Sequence, residues 1–536
     1  MKVDNILLTF LGLYRQRIAT LREVYVIQFL VNNEMVQLTQ FAPNLSILDW
    51  LRTNIGKVGS KEGCASGDCG ACTVVIGDLI DGQWQYKSIN ACLMLVGNLH
   101  GKHLITVEAL TAKANPSLEE LHPVQRAMVE CHGSQCGFCT PGFIMSLFAL
   151  YMNYASYPGK EAVIQALGGN LCRCTGYQPI LAAAEKCFTY TDESTQNISN
   201  KDHRFSQQVK ALTLSLEKDL ALNSIPAIEH GEQYFYLPQN LTQLCELKAT
   251  YPDAKFVAGA TDLSVEFSQH LAYSEQLISV RYCPELMQFT QDETGIHIGA
   301  ALPYSEFVDS FCGVYPEAHE LFERIGSLQI RNAGSLGGSI ANASPIGDPA
   351  PLLIALDASI ELQSTRGTRT IPLAEFFVDY RKTQLANDEV IVAIHVPPRL
   401  SNQQLSCHKI SKRIEDDISA VCLVLSYQLT DHTMHAVKCA MGGMASTPAL
   451  AHHIAEALNG KLFSLENLQA AAQKMEEDFQ PLSDVRATSA YRLQVSKNLF
   501  DRIWYQSAGN MILSTSSADL NTSVPAIKTR INHASL

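Results

Sequence analysis

Cysteine is the residue type in this 536-residue sequence with the clearest potential for chemistry, because nine of its 16 cysteines lie between Cys64 and Cys174. Thiolates bind metal ions or pair as disulfides, and a disulfide framework is typical of small secreted chains. Here the N-terminal stretch has one lysine before a short apolar run, then arginines and no A-x-A cleavage site, which is a poor match to a signal peptide. We therefore expect a cytoplasmic protein whose grouped cysteines bind metal.

The first group has the spacing C-x4-C-x2-C, formed by Cys64, Cys69 and Cys72, with Cys92 downstream. This is the spacing of the thiolate ligands at a plant-type [2Fe–2S] cluster. Glycines among the ligands permit the unusual φ angles of a tight loop and bring backbone N–H groups to the sulfurs. A four-cysteine zinc site is the alternative, but it usually shows two C-x2-C pairs. The spacing therefore predicts a [2Fe–2S] cluster at these four cysteines.

The second group contains a C-x2-C pair, Cys136 and Cys139, and a C-x-C pair, Cys172 and Cys174. The C-x2-C pair alone suits zinc and iron–sulfur about equally, and the tighter C-x-C pair favours iron. Cys131 could replace one of these ligands, but we assign it to a helical core, where free cysteine is often buried. We interpret the other cysteines as structural: Cys187, Cys245, Cys283, Cys312, Cys407, Cys422 and Cys439.

Two turns rich in small residues lie further along the chain. Residues 256–263 read FVAGATDL, and residues 330–339 read IRNAGSLGGS and are followed by ASPIGDPAP. Successive backbone N–H groups at small residues can bind a diphosphate, although an ordinary tight turn is the commoner outcome of such a pattern. No G-x-G-x-x-G motif follows a strand and no G-x4-G-K-[ST] motif occurs, so neither a Rossmann nor a P-loop nucleotide site is predicted.

The elements that hold these residues can be predicted from the pattern of apolar residues. Residues 24–41 form two apolar-rich runs around Asn32, which predicts a hairpin, and residues 46–56 have helical spacing. Residues 117–190 are helical in pattern, with Pro141 at a helix start and Gly168 at a helix end. Strands around one helix followed by a helical segment predict two small domains, one for each cysteine group.

The charge balance argues against several classes of partner. The formal net charge is −13, which provides no basic surface for nucleic acid or an anionic membrane. Nowhere do about 18 apolar residues run together, so no membrane-spanning helix is expected. We therefore expect neither nucleic acid nor a membrane as a partner.

The cysteine segments carry a family resemblance. KEGCASGDCGACTV, INACL, QCGFCTPGFIMS and GGNLCRCTGYQPI resemble the paired iron–sulfur domains of the molybdenum hydroxylases, and all eight family cysteines have a counterpart here. The resemblance implies a ferredoxin-like first domain and a helical second domain whose cluster is the nearer one to the molybdenum cofactor. It also implies that Gln135 approaches the pterin of that cofactor across a subunit interface.

The two small-residue turns resemble the flavin-binding segments of the FAD domain in xanthine dehydrogenases. The resemblance implies that these turns bind the FAD diphosphate, that Asp348 holds a polar part of FAD, and that Ile391 and Lys409 border the flavin. It places the loop KRIEDD beside the flavin on the acceptor side. Ile325 stands where many family members have an aromatic residue, and Ser339 where asparagine is usual. The implied FAD-binding residues are Phe256, Val257, Ala258, Gly259, Ala260, Thr261, Asp262, Leu263, Ile325, Ser335, Leu336, Gly337, Gly338, Ser339, Asp348, Ile391 and Lys409.

The resemblance covers about residues 26–520 and implies an electron path. Electrons from hypoxanthine or xanthine would leave a molybdopterin centre on a large partner subunit, pass through both [2Fe–2S] clusters to FAD, and reduce NAD⁺. This chain would be the iron–sulfur/FAD small subunit, with no catalytic residue of its own, in a heterotetramer of two small and two large subunits. The alternatives are the same subunit of a molybdenum hydroxylase for an aldehyde or N-heterocycle, and a zinc-binding scaffold without enzymatic activity.

We thus predict a multidomain α+β protein. Its parts would be an N-terminal extension (1–24), a plant-type ferredoxin domain of the β-grasp class (25–105), a helical-bundle [2Fe–2S] domain (106–190), a linker (191–230), a two-part α+β FAD-binding domain of the xanthine dehydrogenase type (231–405), an α+β C-terminal flavoprotein domain (406–520) and a tail (521–536).

Overall fold

The computed structural model describes residues 25–80, 83–111, 113, 115–190, 209, 212 and 225–515. The predicted extension 1–24, most of the predicted linker and the tail 521–536 lie outside the described residues. Among the helices of the described part, none is long and apolar enough to cross a membrane.

The first domain is a five-stranded sheet in the order β2-β1-β5-β3-β4, covered by one short helix. The hairpin predicted around Asn32 is present, and Asn32 adopts the left-handed conformation that a tight turn between two strands requires (φ 58°). Ser46 starts the helix by accepting a hydrogen bond from the Asp49 backbone N–H. The elements are β1 (Ile27–Val31), β2 (Glu34–Leu38), α1 (Ile47–Asp49) with a π-helical turn (Trp50–Asn54), β3 (Thr73–Ile80), β4 (Gln83–Asn90) and β5 (His103–Ile105).

The second domain is helical and is built around one apolar helix, α3, that begins with Pro141 in its first turn and buries eleven of its residues. A helix that is apolar on all sides is stable only when it is surrounded, and helices α2 and α4 and strands β3 and β4 pack against it. Gly168 ends helix α4, as predicted. The helices are α2 (Pro123–Glu130), α3 (Thr140–Asn153), α4 (Lys160–Leu167) and α5 (Gln178–Lys186), with a 3-10 turn at Cys187–Tyr190.

The third region contains two larger sheets, with strand orders β6-β7-β9-β8 and β10-β11-β16-β12-β13, and a two-stranded sheet β14-β15. The chain becomes regular before residue 230, the end of the predicted linker, because Ala227–His230 pairs antiparallel with Gln233–Tyr236. The elements are β6 (Ala227–His230), β7 (Gln233–Tyr236), α6 (Leu241–Thr250), β8 (Lys255–Val257), α7 (Leu263–Gln269), β9 (Gln276–Ser279), β10 (Phe289–Asp292), β11 (Gly295–Gly299), α8 (Tyr304–Val314), α9 (His319–Glu323), α10 (Leu328–Arg331), α11 (Leu336–Asn342), α12 (Pro349–Ala355), β12 (Ser359–Ser364), β13 (Gly367–Pro372), α13 (Leu373–Phe376), β14 (Phe377–Asp379), β15 (Lys382–Thr383) and β16 (Val390–Val396).

The C-terminal region is an antiparallel sheet in the order β17-β18-β19-β20, covered by helices. Strand β18 is buried along most of its length, because α12 of the third region and the C-terminal helix both pack on it. The elements are β17 (Gln403–Ile410), β18 (Val421–Thr430), β19 (Thr433–Gly442), β20 (Ala449–Leu450), α14 (His452–Leu458), α15 (Leu465–Ala472), α16 (Met475–Asp478) and α17 (Ser489–Thr515). The multidomain α+β class predicted from the sequence is confirmed.

Candidate functional site

The first cysteine group lies on a loop between the π-helical turn and β3, and its last member directly follows β4. The Sγ atoms of Cys72 and Cys92 are 3.3 Å apart. Cys64 Sγ accepts hydrogen bonds from the backbone N–H groups of Ser66 (3.4 Å) and Cys69 (3.3 Å). The structure therefore brings the predicted ligands together in pairs, with backbone N–H groups directed at a sulfur.

The pairing has a clear electrostatic signature. A hydrogen bond from the Cys69 thiol lowers the pKa of Cys64 to about 4. In the same way the Cys92 thiol lowers the pKa of Cys72, although burial opposes the shift. Within the described residues, no three or more His, Cys, Asp or Glu side chains converge on a single metal position. Two pairs of thiols suit a two-iron cluster, in which each iron takes two protein ligands, better than one tetrahedral zinc ion.

The second cysteine group lies where two loops of the helical domain meet. Cys139 occupies the position before α3, and Cys172 and Cys174 lie on the loop between α4 and α5. Side-chain hydrogen bonds pair Cys136 with Cys174 and Cys139 with Cys172. This is again an arrangement of two pairs, and the donor set fits a second two-iron cluster.

The two cysteine groups differ in exposure. Cys136 and Cys174 are exposed, whereas Cys72 and Cys92 are buried. Phe138, between the ligands of the second group, keeps 49% of its surface exposed. The second group therefore lies nearer the molecular surface than the first, in which Cys64 and Cys69 are half-buried. Cys131, which the sequence analysis assigned to a helical core and not to the ligands, ends helix α2 and packs against the core of the helical domain.

The loops of the two groups touch directly. The Leu171 backbone N–H donates to the Cys69 carbonyl oxygen (3.0 Å), and the Asn170 side-chain amide donates to the Gly70 carbonyl oxygen (3.0 Å). These contacts place the segment before Cys172 against the ligand loop of the first group.

The two small-residue turns of the third region also meet. A Cβ atom on Gly259 would lie 1.9 Å from the Ala333 carbonyl oxygen, and one on Gly334 would lie 3.2 Å from Thr261 Oγ1. The first turn bends at Ala260, which has φ 57°. The second turn runs into α11, where Ser335 Oγ accepts the Gly338 backbone N–H. The structure thus brings residues 256–263 and 333–339 together as one backbone-lined surface.

Asp348 lies in a buried polar cluster. Its Oδ2 accepts a hydrogen bond from Lys409 Nζ (2.7 Å) and its Oδ1 one from Ser419 Oγ (2.5 Å). Lys409 Nζ also donates to the Arg324 carbonyl oxygen (2.7 Å). The Tyr304 hydroxyl is buried nearby, with no hydrogen-bond partner of normal geometry among the described residues. An orphaned hydroxyl beside a wall of small residues fits a bound cofactor with polar groups.

Sequence reasoning missed Arg324, Ser419 and Tyr304, since no motif links them to Asp348. It did single out Ile325 and Ile391, which both belong to the core of the third region. Ile391 is 7% exposed on β16, a strand that contacts α11. These two side chains can offer only aliphatic contact.

An open cleft of about 410 Å³ separates the first cysteine loop, the helical domain and the loop at 413–416. Asp68 and Leu171 line one side, and Arg413, Glu415 and Asp416 line the other. Burial, and then repulsion from Asp68, raise the pKa of Asp416 to about 6. The predicted acceptor-side loop therefore faces the cysteine loop across a cleft with several carboxylates.

Three family models match the chain in succession. A "[2Fe-2S] binding domain" matches residues 106–185, an "FAD binding domain in molybdopterin dehydrogenase" matches residues 228–399, and a "CO dehydrogenase flavoprotein C-terminal domain" matches residues 406–507. The chain belongs to the molybdenum hydroxylase family. It carries the iron–sulfur and FAD-binding domains of that family.

Curated relatives in this family are xanthine dehydrogenases. The enzyme of Emericella nidulans is 31% identical over 93% of this chain, and xanthine dehydrogenase 1 of Arabidopsis thaliana is 31% identical over 81% of it. The enzyme of Drosophila pseudoobscura pseudoobscura is 33% identical over 79%. The chain spans 40%, 36% and 35% of the lengths of these three proteins, respectively.

Among solved structures, a carbon monoxide dehydrogenase from Hydrogenophaga pseudoflava covers 52% of this chain, with 26% identity and a TM-score of 0.48. The match spans 96% of that protein's chain. A quinoline 2-oxidoreductase from Pseudomonas putida 86 covers 54% of this chain and 99% of its own, with 22% identity and a TM-score of 0.49.

Proposed function

We propose that this molybdenum hydroxylase chain is the electron-transfer subunit of a xanthine dehydrogenase. In this role it accepts electrons from purine hydroxylation at a molybdopterin centre on a partner subunit. It passes them through two [2Fe–2S] clusters and FAD to NAD⁺. The observation that carries the proposal is the spatial order of the predicted cofactor residues, from the molecular surface through the first cysteine loop to the flavin segments.

The second cysteine group is the proposed point of electron entry. Its ligands are Cys136, Cys139, Cys172 and Cys174, and two of them are exposed. An exposed cluster can come close to a cofactor on a partner, which favours this group over the more buried first group as the point of entry. Gln135 directly precedes the first of these ligands and is the residue proposed to approach the partner's pterin.

The first cysteine group, Cys64, Cys69, Cys72 and Cys92, is the proposed relay. On one side its loop is bonded to the segment before Cys172 through the Leu171–Cys69 backbone hydrogen bond of 3.0 Å. On the other side, a Cβ atom on Gly67 would lie 3.1 Å from Ile330 Cδ1, at the start of the second flavin segment.

The flavin is the proposed exit. When bound, FAD accepts electrons singly and releases two as a hydride, which couples one-electron clusters to a two-electron acceptor. The chain's own residues bind and orient it. The two small-residue turns, 256–263 and 335–339, would hold the diphosphate, Ile325 and Ile391 would provide aliphatic contact, and Lys409 with Asp348 would form a fixed polar wall.

Anaerobic reduction of the purified complex from each end tests the proposal. Xanthine should bleach the visible absorbance of both clusters and the flavin, and NADH should bleach it from the other end. If NADH leaves the flavin oxidised, the NAD⁺ assignment is wrong. If an aldehyde or a different N-heterocycle reduces the complex and xanthine does not, the substrate assignment is wrong. A colourless protein that contains zinc would refute both.

A further inference from the structure

A buried polar cluster joins the three parts of the chain that carry the predicted cofactors. Its side chains are Thr73 from the first domain, Ser146 and Asn170 from the helical domain, and Gln329 from the third region, and none is more than 2% exposed. We call these four residues the junction cluster.

Gln329 is the centre of the junction cluster. Its Nε2 donates to Asn170 Oδ1 (3.0 Å) and lies within reach of Ser146 Oγ (3.3 Å) and Thr73 Oγ1 (3.4 Å). One amide group thus contacts both other parts of the chain. Within the described part of the chain, its Oε1 has no hydrogen-bond partner, and it lies against the backbone of Gly169, where a Cβ atom would approach it to 2.3 Å.

Asn170 connects this amide to the first cysteine loop. Its Nδ2 donates to the Gly70 carbonyl oxygen (3.0 Å) and to Thr73 Oγ1 (3.2 Å), while its Oδ1 accepts from Ser146 Oγ (2.7 Å). Gly70 lies between two predicted iron ligands, and Asn170 lies two residues before another. The cluster therefore bonds to the backbone of one ligand loop and is part of the other.

Gln329 is also close in sequence to the residues proposed to bind the flavin. It lies on the one-turn helix α10, four residues after Ile325 and six before Ser335. A displacement of this helix would move Ile325, the proposed aliphatic contact of the flavin, together with the turn proposed to bind the diphosphate.

Stability alone does not account for such a cluster. Buried polar groups can often be replaced by apolar residues of similar volume with little cost or even a gain in stability, and their best-attested contribution is a unique register. Four buried polar side chains at the meeting point of three domains are placed to fix the positions of those domains.

On this basis, and resting on the function proposed above, we propose that Gln329 is a positioning residue that sets the separation of the two iron–sulfur clusters and the flavin. Electron transfer depends steeply on that separation.

The test compares Gln329→Met, which removes the amide and keeps the side-chain length, with Gln403→Met. Gln403 also donates to a serine hydroxyl, Ser426 Oγ (2.9 Å), but lies in the C-terminal sheet. Two measurements are made on the holo-complex. One is the electron paramagnetic resonance spectrum of the dithionite-reduced protein, in which magnetic coupling between the reduced clusters reports their separation. The other is the rate at which NADH reduces the clusters.

The Gln329→Met protein should retain both cluster signals and bound FAD, with altered cluster coupling and a rate of cluster reduction that is several-fold lower. The Gln403→Met protein should match the wild type in both measurements. Wild-type coupling and rate in Gln329→Met would overturn the proposal. If that variant does not assemble, Ser146→Ala replaces it: a smaller change in the same direction supports the proposal, and wild-type behaviour overturns it. If NADH reduces neither the wild type nor any variant, the proposed function is wrong. In that case the magnetic coupling between the dithionite-reduced clusters still tests the role of Gln329.

Discussion

The buried ion pair between Lys409 and Asp348 allows a strong test of how the flavin region is stabilised. The two side chains are 3% and 6% exposed, and the charged atoms are 2.7 Å apart. Replacing Lys409 with methionine keeps much of the volume and removes the ammonium group. The Asp348 carboxylate then keeps the Ser419 hydroxyl as a hydrogen-bond donor.

The expected cost follows from the burial of the carboxylate. Removing one partner of a buried ion pair leaves an uncompensated charge, which destabilises a protein by about 3–5 kcal/mol. Replacing both partners removes the charge that needs compensation. We therefore expect Lys409→Met to lower the free energy of unfolding by about 3–5 kcal/mol and the double variant Lys409→Met/Asp348→Asn to recover most of it.

Lys438, on strand β19 of the same sheet, provides a matched control. It forms an ion pair with Asp357 in which the two side chains are 34% and 60% exposed. Exposed pairs contribute about 0–1 kcal/mol, so Lys438→Met should change stability little. Because both lysines are replaced by methionine, the difference between their losses of unfolding free energy reports the effect of burial.

The assay is urea unfolding of the flavin-free and the flavin-loaded protein, followed by circular dichroism and by tryptophan fluorescence, to which Trp504 of the C-terminal region contributes. A loss of unfolding free energy in the flavin-free protein measures the contribution of the ion pair to folding. An additional loss in the flavin-loaded protein measures the contribution of the ion pair to flavin binding. The reasoning is refuted if Lys409→Met and Lys438→Met cost the same. It is refuted as well if the double variant is no more stable than Lys409→Met.

Three further predictions concern the clusters, the cleft and the helical domain. Cys136→Ala should abolish the magnetic resonance signal of one cluster, whereas Cys131→Ala should leave both; the reverse result would exchange the two assignments. The pKa of Asp416 is raised to about 6, so its ionisation costs stability as the pH rises from about 4 through 6. Asp416→Asn should therefore be more stable than the wild type at pH 8, by on the order of 2 kcal/mol, and no more stable at pH 4, as measured by urea unfolding at both pH values. Gly142→Ala would place a Cβ atom 2.2 Å from a backbone carbonyl oxygen and should destabilise by about 1–3 kcal/mol in urea unfolding, whereas Gly313→Ala, in a helix with open space, should be neutral or stabilising. Equal effects of the two alanines would contradict the packing described here.

The cysteine groups could be predicted from the sequence because the ligands of such a cluster lie at characteristic short intervals along the chain. Four thiolates around two irons require a short loop, so the ligands recur at fixed intervals. The hairpin at Asn32 and the helix start at Pro141 are local in the same sense, and both are present. Local patterns of this kind need no knowledge of how the domains meet.

The residues that the sequence did not reveal are those whose partners come from other domains. Gln329 donates to an asparagine 159 positions earlier in the chain, and Lys409 pairs with an aspartate 61 positions away. The resemblance singled out Asp348 and Lys409 as flavin neighbours. It did not indicate that they bond to each other, because that contact depends on how β17 packs beside α12. No spacing rule encodes such docking.

Gly70 shows how local and long-range requirements can fall on one residue. The sequence suggests glycine there because a cluster loop needs unusual φ angles, and Gly70 indeed has φ 65°. Yet a Cβ atom at Gly70 would also lie 2.2 Å from the Gly169 carbonyl oxygen, and one at Gly142 would lie 2.2 Å from the carbonyl oxygen of Gly70 itself. The ligand loop and the helical domain therefore touch directly through backbone, beside the hydrogen bond from the Asn170 side chain to Gly70. Backbone contacts of this kind leave little freedom for the separation of two clusters, whereas contacts through long side chains would adjust. It follows that substitutions on the surface should leave electron transfer between the clusters unchanged, and that a single methyl group at these glycines should not.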